Sequence, residues 1–498
     1  MSVSQTNRKQ LFSSRSGFLL SALGIAIGTG NIWRFPRIVA QNGSEEGAGA
    51  FILVWVLFLF LWSIPLIIAE YAVGINSRKG VIGSVMVTAG KKFAWMGSFM
   101  TFVATAITFF YSVIVGWCVF YFCQSLYNEL PTTTEMAMCT WDTYQSGGWP
   151  LVSHAVVMLF GGLAIWKGVS GIERINKLLI PILLVIIFIA LIRSLTLSGS
   201  MKGIRYLFTI NWSQFSDPNI WMAALTQNAW DTGAGWGMFI TYGAYMQMRF
   251  GIVKNALITG LGNNFISLVS GIMIFGTCFS IMGSQLGSSD VDILDVMKNS
   301  GPASTGLTFI WIPQLFEKIL FGKALTILFF LGLTLAGFSS LISQLELTVR
   351  TFIDGGMKRS TAILLLVTVS YLLGIPSAMN LNILTNQDFV WGLALLLSGG
   401  LFAIVIIRFK ASRIRNEILD KNPKDIKPGR LWDIIITYFI PVASILLLFW
   451  WLINDGMNNK WYDPFAQSSL MTSLLQWGIV ISVMIIINNW IVRKNEEN

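Results

Sequence analysis

Apolar residues in this chain recur in long unbroken runs, not in the alternation of a strand or the one-sided stripe of a soluble helix. Runs of about 20 residues, the length that crosses a hydrocarbon core as helix, fall near 17–39, 48–74, 95–127, 152–168, 176–196, 221–248, 252–283, 321–353, 360–376, 383–407, 432–453 and 470–491. The pattern predicts an all-α membrane protein of about twelve transmembrane helices. A transmembrane barrel would show shorter, alternating segments, and nothing here alternates. No Pro/Ser-rich linker or low-complexity tract divides the chain, so 1–498 reads as a single integral membrane domain. Two hydrophilic insertions are expected on the outer side. The stretch 128–151 is acidic and lacks Lys and Arg. The stretch 287–318 carries its own apolar run, Leu307–Ile312, and reads as a re-entrant or lid-like segment or as a loop resting on protein.

Two spans depart from the pattern. The first reads Gly24-Ile-Ala-Ile-Gly28-Thr-Gly30-Asn31-Ile-Trp33-Arg34-Phe35-Pro36, and the sixth reads Gln227-Asn-Ala-Trp230-Asp231-Thr-Gly233-Ala-Gly235-Trp236-Gly237. Glycine costs about 1 kcal/mol per residue in a helix interior, so such clusters favour a break. Backbone freed at membrane depth must line a cavity or lie buried in protein. Glycines alone fit close helix packing equally well. The polar Asn31 and Asp231 beside the two clusters tip the reading towards a transporter site between two halves.

Composition changes this picture little. Charged residues make up 12% of the chain, against about 25% in soluble domains. The net charge of +10 would suit nucleic acid were it not segregated. With the N-terminus inside, most of the 34 Lys and Arg fall on cytoplasmic segments, including the basic stretch Arg408–Arg430. Only Arg193, Lys202, Arg205, Lys298, Lys318, Lys323 and Lys460 fall on external loops. That asymmetry reports topology: both termini are expected in the cytoplasm, with a lipid bilayer as partner and no nucleic acid. The polar start leads straight into a full span, so no cleavable signal peptide is expected. The four cysteines have no metal-type spacing and His154 is the single histidine. An enzyme would need a nucleophile–base pair or a metal cluster, and a channel would need filter repeats or charged rings. The sequence offers neither, and an enzyme is not expected.

At these motifs the chain resembles the neurotransmitter:sodium symporter family, above all its prokaryotic LeuT-like amino acid transporters. The likeness runs from about Arg15 through the tenth span. Its strongest part is Gly28–Pro36, supported by Glu70, Tyr111, Trp117, Gln227–Gly237, Asn263, Ser267, Ala336–Ser340 and Asp388. The resemblance implies a LeuT-type 5+5 inverted repeat with unwound first and sixth helices. Its halves would be 17–196 and 221–407, with two additional C-terminal helices over 432–491. It implies symport of a small neutral amino acid, hydrophobic or bulky, with sodium by alternating access, in a prokaryotic plasma (inner) membrane. Oligomeric state is left open.

The resemblance also implies site residues. One sodium would be held by Ala26, Asn31, Asp231 and Asn263. A second would be held by Gly24, Ile27, Ala336, Ser339 and Ser340, although paired serines in a membrane helix also read as hydroxyls bonding back to the preceding turn. Substrate would meet Ala26, Gly28, Thr29, Gly30 and Tyr111 at its carboxylate end, and Ile107, Trp230, Gly233, Trp236, Ser340 and Gln344 along its side chain. Arg34 and Asp388 would form the outer gate with Trp236 as an aromatic lid beneath. Lys9, Asp354 and Tyr245 would form the inner gate. Glu70 is expected to pack and hydrogen-bond, and Glu346 has no assigned role. Chloride-dependent relatives bind the anion with a tyrosine, a glutamine and two serines. Here Gln227 and Ser267 remain, but Trp55 replaces the tyrosine and Asp231 one serine. Chloride independence is expected, with Asp231 supplying the negative charge. The alternative is the same fold with proton coupling, or with a cationic amine substrate, through Asp231.

Overall fold

The computed structural model describes residues 11–298, 305–456 and 460–497, and every element among them is helical. Eight described helices are long and apolar enough to cross a membrane: Gly49–Ser77, Lys91–Tyr127, Val169–Leu195, Ile252–Ser284, Gly322–Asp354, Arg359–Met379, Leu381–Phe409 and Gly429–Ile453. They correspond to the second, third, fifth and seventh to eleventh expected spans. The first span is broken, with Arg15–Ala26 and Gly30–Asn42 bent 50° apart. The fourth is Trp149–Ile165, and the sixth is split into Pro218–Thr232 and Met238–Tyr245. The twelfth ends at Ile486 and turns by 53° into Asn488–Glu496. The fifth helix begins earlier than the apolar run suggested. Glu173, Arg174 and Lys177 interrupt the run without interrupting the helix, because charged side chains with unbranched stems are good helix formers.

The two hydrophilic insertions fold over the same end of the spans. Within 128–151 a helix, Thr134–Ser146, brings Trp141 to 5.1 Å from Trp117 of the third span. Within 287–318 the apolar run forms a turn, Leu307–Trp311, whose Phe309 lies 4.9 Å from Tyr121 and 5.8 Å from Phe330. That run rests on the C-terminal end of the third span and the N-terminal end of the eighth.

Both helix breaks have local causes. After Ala26 the backbone turns extended at Ile27 (φ −82°, ψ 95°) and resumes as a wide π turn over Gly30–Arg34. The sixth span leaves the helix at Thr232 and passes through Gly233 (φ +70°), Gly235 (φ +88°) and Gly237 (φ +86°). Side chains rarely adopt these left-handed conformations, and a Cβ at Gly235 would stand 2.9 Å from Gly399 Cα. The amides freed by this break are taken up by Glu70 of the second span. Its wholly buried carboxyl group accepts from Gly235 N–H at 2.6 Å and Phe239 N–H at 3.0 Å. Ser398 Oγ donates to the Gly235 carbonyl at 2.7 Å. Buried backbone groups need such partners, so Glu70 fixes the shape of the break.

Candidate functional site

The two breaks face each other across a small cavity, together with the third and eighth spans. Its wall includes Ala26, Gly28 and Gly30 from the first span and Trp230, Asp231, Gly233 and Trp236 from the sixth. Tyr111, Ser340 and Gln344 close it from the other side, and Ile25 and Met238, which sequence reasoning missed, complete the apolar part. Thr29 and Ile107 are buried but lie outside this wall. Thr29 instead positions Tyr111, whose hydroxyl oxygen accepts from Thr29 Oγ1 at 3.2 Å and Thr29 N–H at 3.4 Å. No side chain fits at Gly28: a Cβ there would meet Ser340 Oγ at 2.8 Å and the Tyr111 hydroxyl at 3.1 Å.

Oxygen atoms gather in two places beside the cavity. In the first, the Asn263 amide oxygen lies 2.9 Å from the Ala26 carbonyl oxygen, 3.1 Å from the Asp231 carbonyl oxygen and 2.7 Å from Asn31 Nδ2. Turning the amide over lets it donate to both carbonyls, but it then meets Asn31 donor to donor. Neither orientation satisfies all three neighbours, whereas a cation among the three oxygens does, since hard cations take carbonyl ligands. Asn31 itself turns its oxygen to Gly28 N–H, at 2.8 Å, and its nitrogen to Asn263 and Ser267. The Asp231 carboxylate accepts from Gln227 Nε2 at 2.6 Å and from Ser267 Oγ at 3.2 Å, and Ser267 in turn accepts from Asn31 Nδ2 at 2.8 Å.

In the second place, Ser339 Oγ lies 2.9 Å from the Ala336 carbonyl and 3.4 Å from that of Ile27, while Ser340 Oγ lies 3.2 Å from those of Gly24 and Ile25. Back-bonding and contact with the first span coexist here. All five expected residues come together, and Ile25 adds a carbonyl.

Arg34 pairs with Asp388 at 3.3 Å on the outer side. The ring beneath that pair is Trp230, not Trp236. The Arg34 guanidinium stands 4.5 Å over the Trp230 ring, whereas Trp236 is buried with its indole N–H donating to the Ala229 carbonyl at 3.1 Å. Trp230 still belongs to the first half-helix, while Trp236 lies within the break and its ring stands 5.5 Å from that of Trp230.

The expected inner gate is described only in part. Lys9 lies outside the described residues. Asp354 is engaged by Arg350 at 2.9 Å and by Gly80 N–H at 2.5 Å. Glu346, fully buried, pairs with Arg359 of the ninth span and accepts from the Tyr245 hydroxyl at 2.7 Å. Arg350 lies over the Tyr245 ring at 5.3 Å. Sequence reasoning missed Arg350 and Arg359, although Glu346, Arg350 and Asp354 share one helical face by their spacing of four. Phe12 is fully buried and contacts Phe18 and Tyr242 at 5.3 and 5.5 Å.

Comparison with known proteins accords with this geometry. The sodium:neurotransmitter symporter family matches residues 9–147 and 141–497. The chain belongs to that family. It is 29% identical over 462 residues to an uncharacterized sodium-dependent transporter of Methanocaldococcus jannaschii, covering 89% of this chain and 90% of the relative. A Bacillus subtilis relative, the uncharacterized sodium-dependent transporter YhdH, is 28% identical, covering 88% and 96%. Among solved structures, that of MhsT in complex with L-phenylalanine is similar, with a TM-score of 0.76 and 30% identity over 88% of this chain and 99% of that one. This symporter-family chain is thus a multi-pass membrane transporter with the LeuT fold, sodium-dependent and not an enzyme.

Proposed function

We propose that this transporter carries a neutral, hydrophobic or bulky amino acid inward with sodium, without need of chloride. The reading rests on one observation above all. Asp231 places a carboxylate between Gln227 and Ser267, immediately beside the oxygen cluster of Ala26, Asn263 and its own carbonyl. A zwitterionic substrate has a net charge of about zero, so two co-transported cations need an anion that the protein itself holds.

The remaining residues take roles that follow from their chemistry. The first oxygen cluster holds one sodium. The cage of Gly24, Ile27, Ala336, Ser339 and Ser340 holds the second. Backbone N–H groups at the Gly28–Gly30 break, at the positive end of a half-helix, receive the substrate carboxylate, and the Tyr111 hydroxyl donates to it. Gly28 leaves room for that carboxylate. Ile25, Gly233, Met238 and Gln344 bound the substrate side chain, under a Trp230 lid. The MhsT structure, a relative captured with L-phenylalanine, supports a bulky side chain. Arg34 and Asp388 close the outer path. Inside, Tyr245, Glu346, Arg359, Arg350 and Asp354 lock the mouth shut. The repeats 17–196 and 221–407 move against each other, with both termini cytoplasmic.

Uptake of radiolabelled amino acids into proteoliposomes carrying an inward sodium gradient tests the reading. Uptake of phenylalanine or another neutral amino acid that stops when potassium replaces sodium supports it. Uptake driven by a proton gradient alone, or confined to cationic amines, overturns it in favour of coupling through Asp231.

Two further results are expected. The Ser339→Ala/Ser340→Ala double variant removes two hydroxyl ligands while suiting a helix interior, so the sodium concentration for half-maximal transport should rise about tenfold or more, at roughly 1 kcal/mol per lost ligand. Unchanged sodium dependence in the folded variant would place the ion elsewhere. Asp388→Asn keeps the shape of the outer gate but removes its charge. Turnover should fall several-fold while equilibrium substrate binding persists, because a pair that water still reaches in part contributes only about 1 kcal/mol. Wild-type turnover in that variant would show that the pair does not gate.

A further inference from the structure

Asn176 of the fifth span is fully buried, and neither its amide oxygen nor its amide nitrogen has a hydrogen-bond partner. Such groups cost roughly 1–3 kcal/mol each when left unpaired in a protein interior, so a fully buried asparagine with both ends unmet calls for a polar species beside it. Its surroundings indicate which. A Cβ on Gly24 would stand 3.0 Å from Asn176 Oδ1 and 3.4 Å from Ser339 Cβ. Asn176 therefore abuts the residues that furnish two of the oxygens in the cage between the first and eighth spans.

One turn towards the cytoplasm on the same helix face sits Glu173. It accepts from Ser13 N–H at 2.7 Å, Ser13 Oγ at 2.6 Å and Ser14 Oγ at 2.9 Å, and pairs with Lys177 at 2.7 Å. Three residues of helix rise about 4.5 Å, so the two side chains form successive polar steps. On the other side the face turns apolar at Ile180 and Leu183, both wholly buried. The polar steps thus lead from the inner rim to the cage and end there.

We propose that Asn176 is an outer ligand of the sodium ion in that cage, its amide bridging to the ion through one water and passing the ion's hydration towards Glu173 when the inner side opens. This rests on the assignment of the cage as a sodium site. An ion leaving carbonyl ligands must regain water, and a buried amide with free donor and acceptor capacity can hold that water. The role is positioning: the amide acts through the water on the ion.

The test is sodium titration of the purified full-length chain against potassium at constant ionic strength, reading the thermal midpoint, because an ion that binds only the folded state raises it with concentration. Asn176→Leu keeps the volume and removes the amide; its half-saturating sodium concentration should rise about fivefold. Asn176→Asp adds a negative charge next to a cation; its half-saturating concentration should fall about fivefold, with slower turnover in sodium-driven uptake. These are factors of about 1 kcal/mol each way. Opposite shifts support the proposal, since a merely structural asparagine would lower the midpoint in both variants and leave sodium dependence unchanged. Unchanged sodium dependence in both, or the same direction in both, overturns it. Should the leucine variant not fold, the aspartate variant decides alone. The Ser339→Ala/Ser340→Ala variant runs alongside: if it shifts sodium dependence and Asn176 variants do not, the relay falls and the cage stands. If neither shifts, the cage assignment falls.

Discussion

Uptake by the unsubstituted chain is expected to be equal in sodium gluconate and in sodium chloride, while Asp231→Ser stops transporting in gluconate. The argument is electrostatic. At an effective dielectric near 20, one unit charge about 4 Å away is worth roughly 4 kcal/mol. That is close to a thousandfold in sodium affinity. The Asp231 carboxylate is buried, accepts from Gln227 and Ser267, and has its own carbonyl in the neighbouring oxygen cluster. Serine in its place leaves Gln227 and Ser267 as donors facing nothing charged. Chloride can then fill the gap, giving a chloride requirement. If Trp55, buried and 4.5 Å from Phe35, leaves too little room, activity is lost in both salts. Either outcome supports the role. A wild type that stops in gluconate, or a serine variant indifferent to the anion, refutes it.

Arg359→Gln should destabilise the protein by about 3 kcal/mol, read as a lowered midpoint in chemical unfolding of the purified chain. Glu346 is fully buried, and its carboxylate is held by Arg359 and by the Tyr245 hydroxyl at 2.7 Å. Removing one partner of a buried pair leaves an uncompensated charge, typically costing 3–5 kcal/mol. The low end applies because the Arg359 side chain is about a quarter exposed and water can partly follow it inward. Arg359 also donates to the Ile165 carbonyl at 2.6 and 3.1 Å, so its loss unties the fourth span from the ninth. The double variant Glu346→Gln/Arg359→Gln removes both charges and should recover more than half of the loss. If the single variant is as stable as wild type, the pair is not what closes the inner side.

The membrane class, most of the spans and the two broken helices were legible in the sequence for a physical reason. Hydrocarbon accepts only backbone that is hydrogen-bonded within itself, so spans must be about 20 apolar residues long. A departure from that rule, such as the glycines beside Asn31 and Asp231, stands out. Glu70 was legible as an intramembrane acid, but its service to Gly235 and Phe239 was not, since the partners lie 165 and 169 residues away. The start of the fifth span was misplaced because hydropathy does not separate a charged helix end from a loop.

What the sequence determined by itself is therefore the architecture and the chemical inventory: the spans, and the oxygen-bearing and charged groups placed where a membrane tolerates few. What only the tertiary structure decided is which of those groups meet. Trp230 rather than Trp236 lies under Arg34 because the chain leaves the helix between them and the Trp236 indole turns to the Ala229 carbonyl instead. Glu346 found Arg359 because two helices, the eighth and ninth spans, pack at an angle that no single-span periodicity encodes. Asn176, one polar residue among many at a helix end, became notable only when burial left its amide without a partner beside Gly24. Local pattern fixes what each helix can offer. Long-range packing, through desolvation and hydrogen-bond geometry, selects what it is used for.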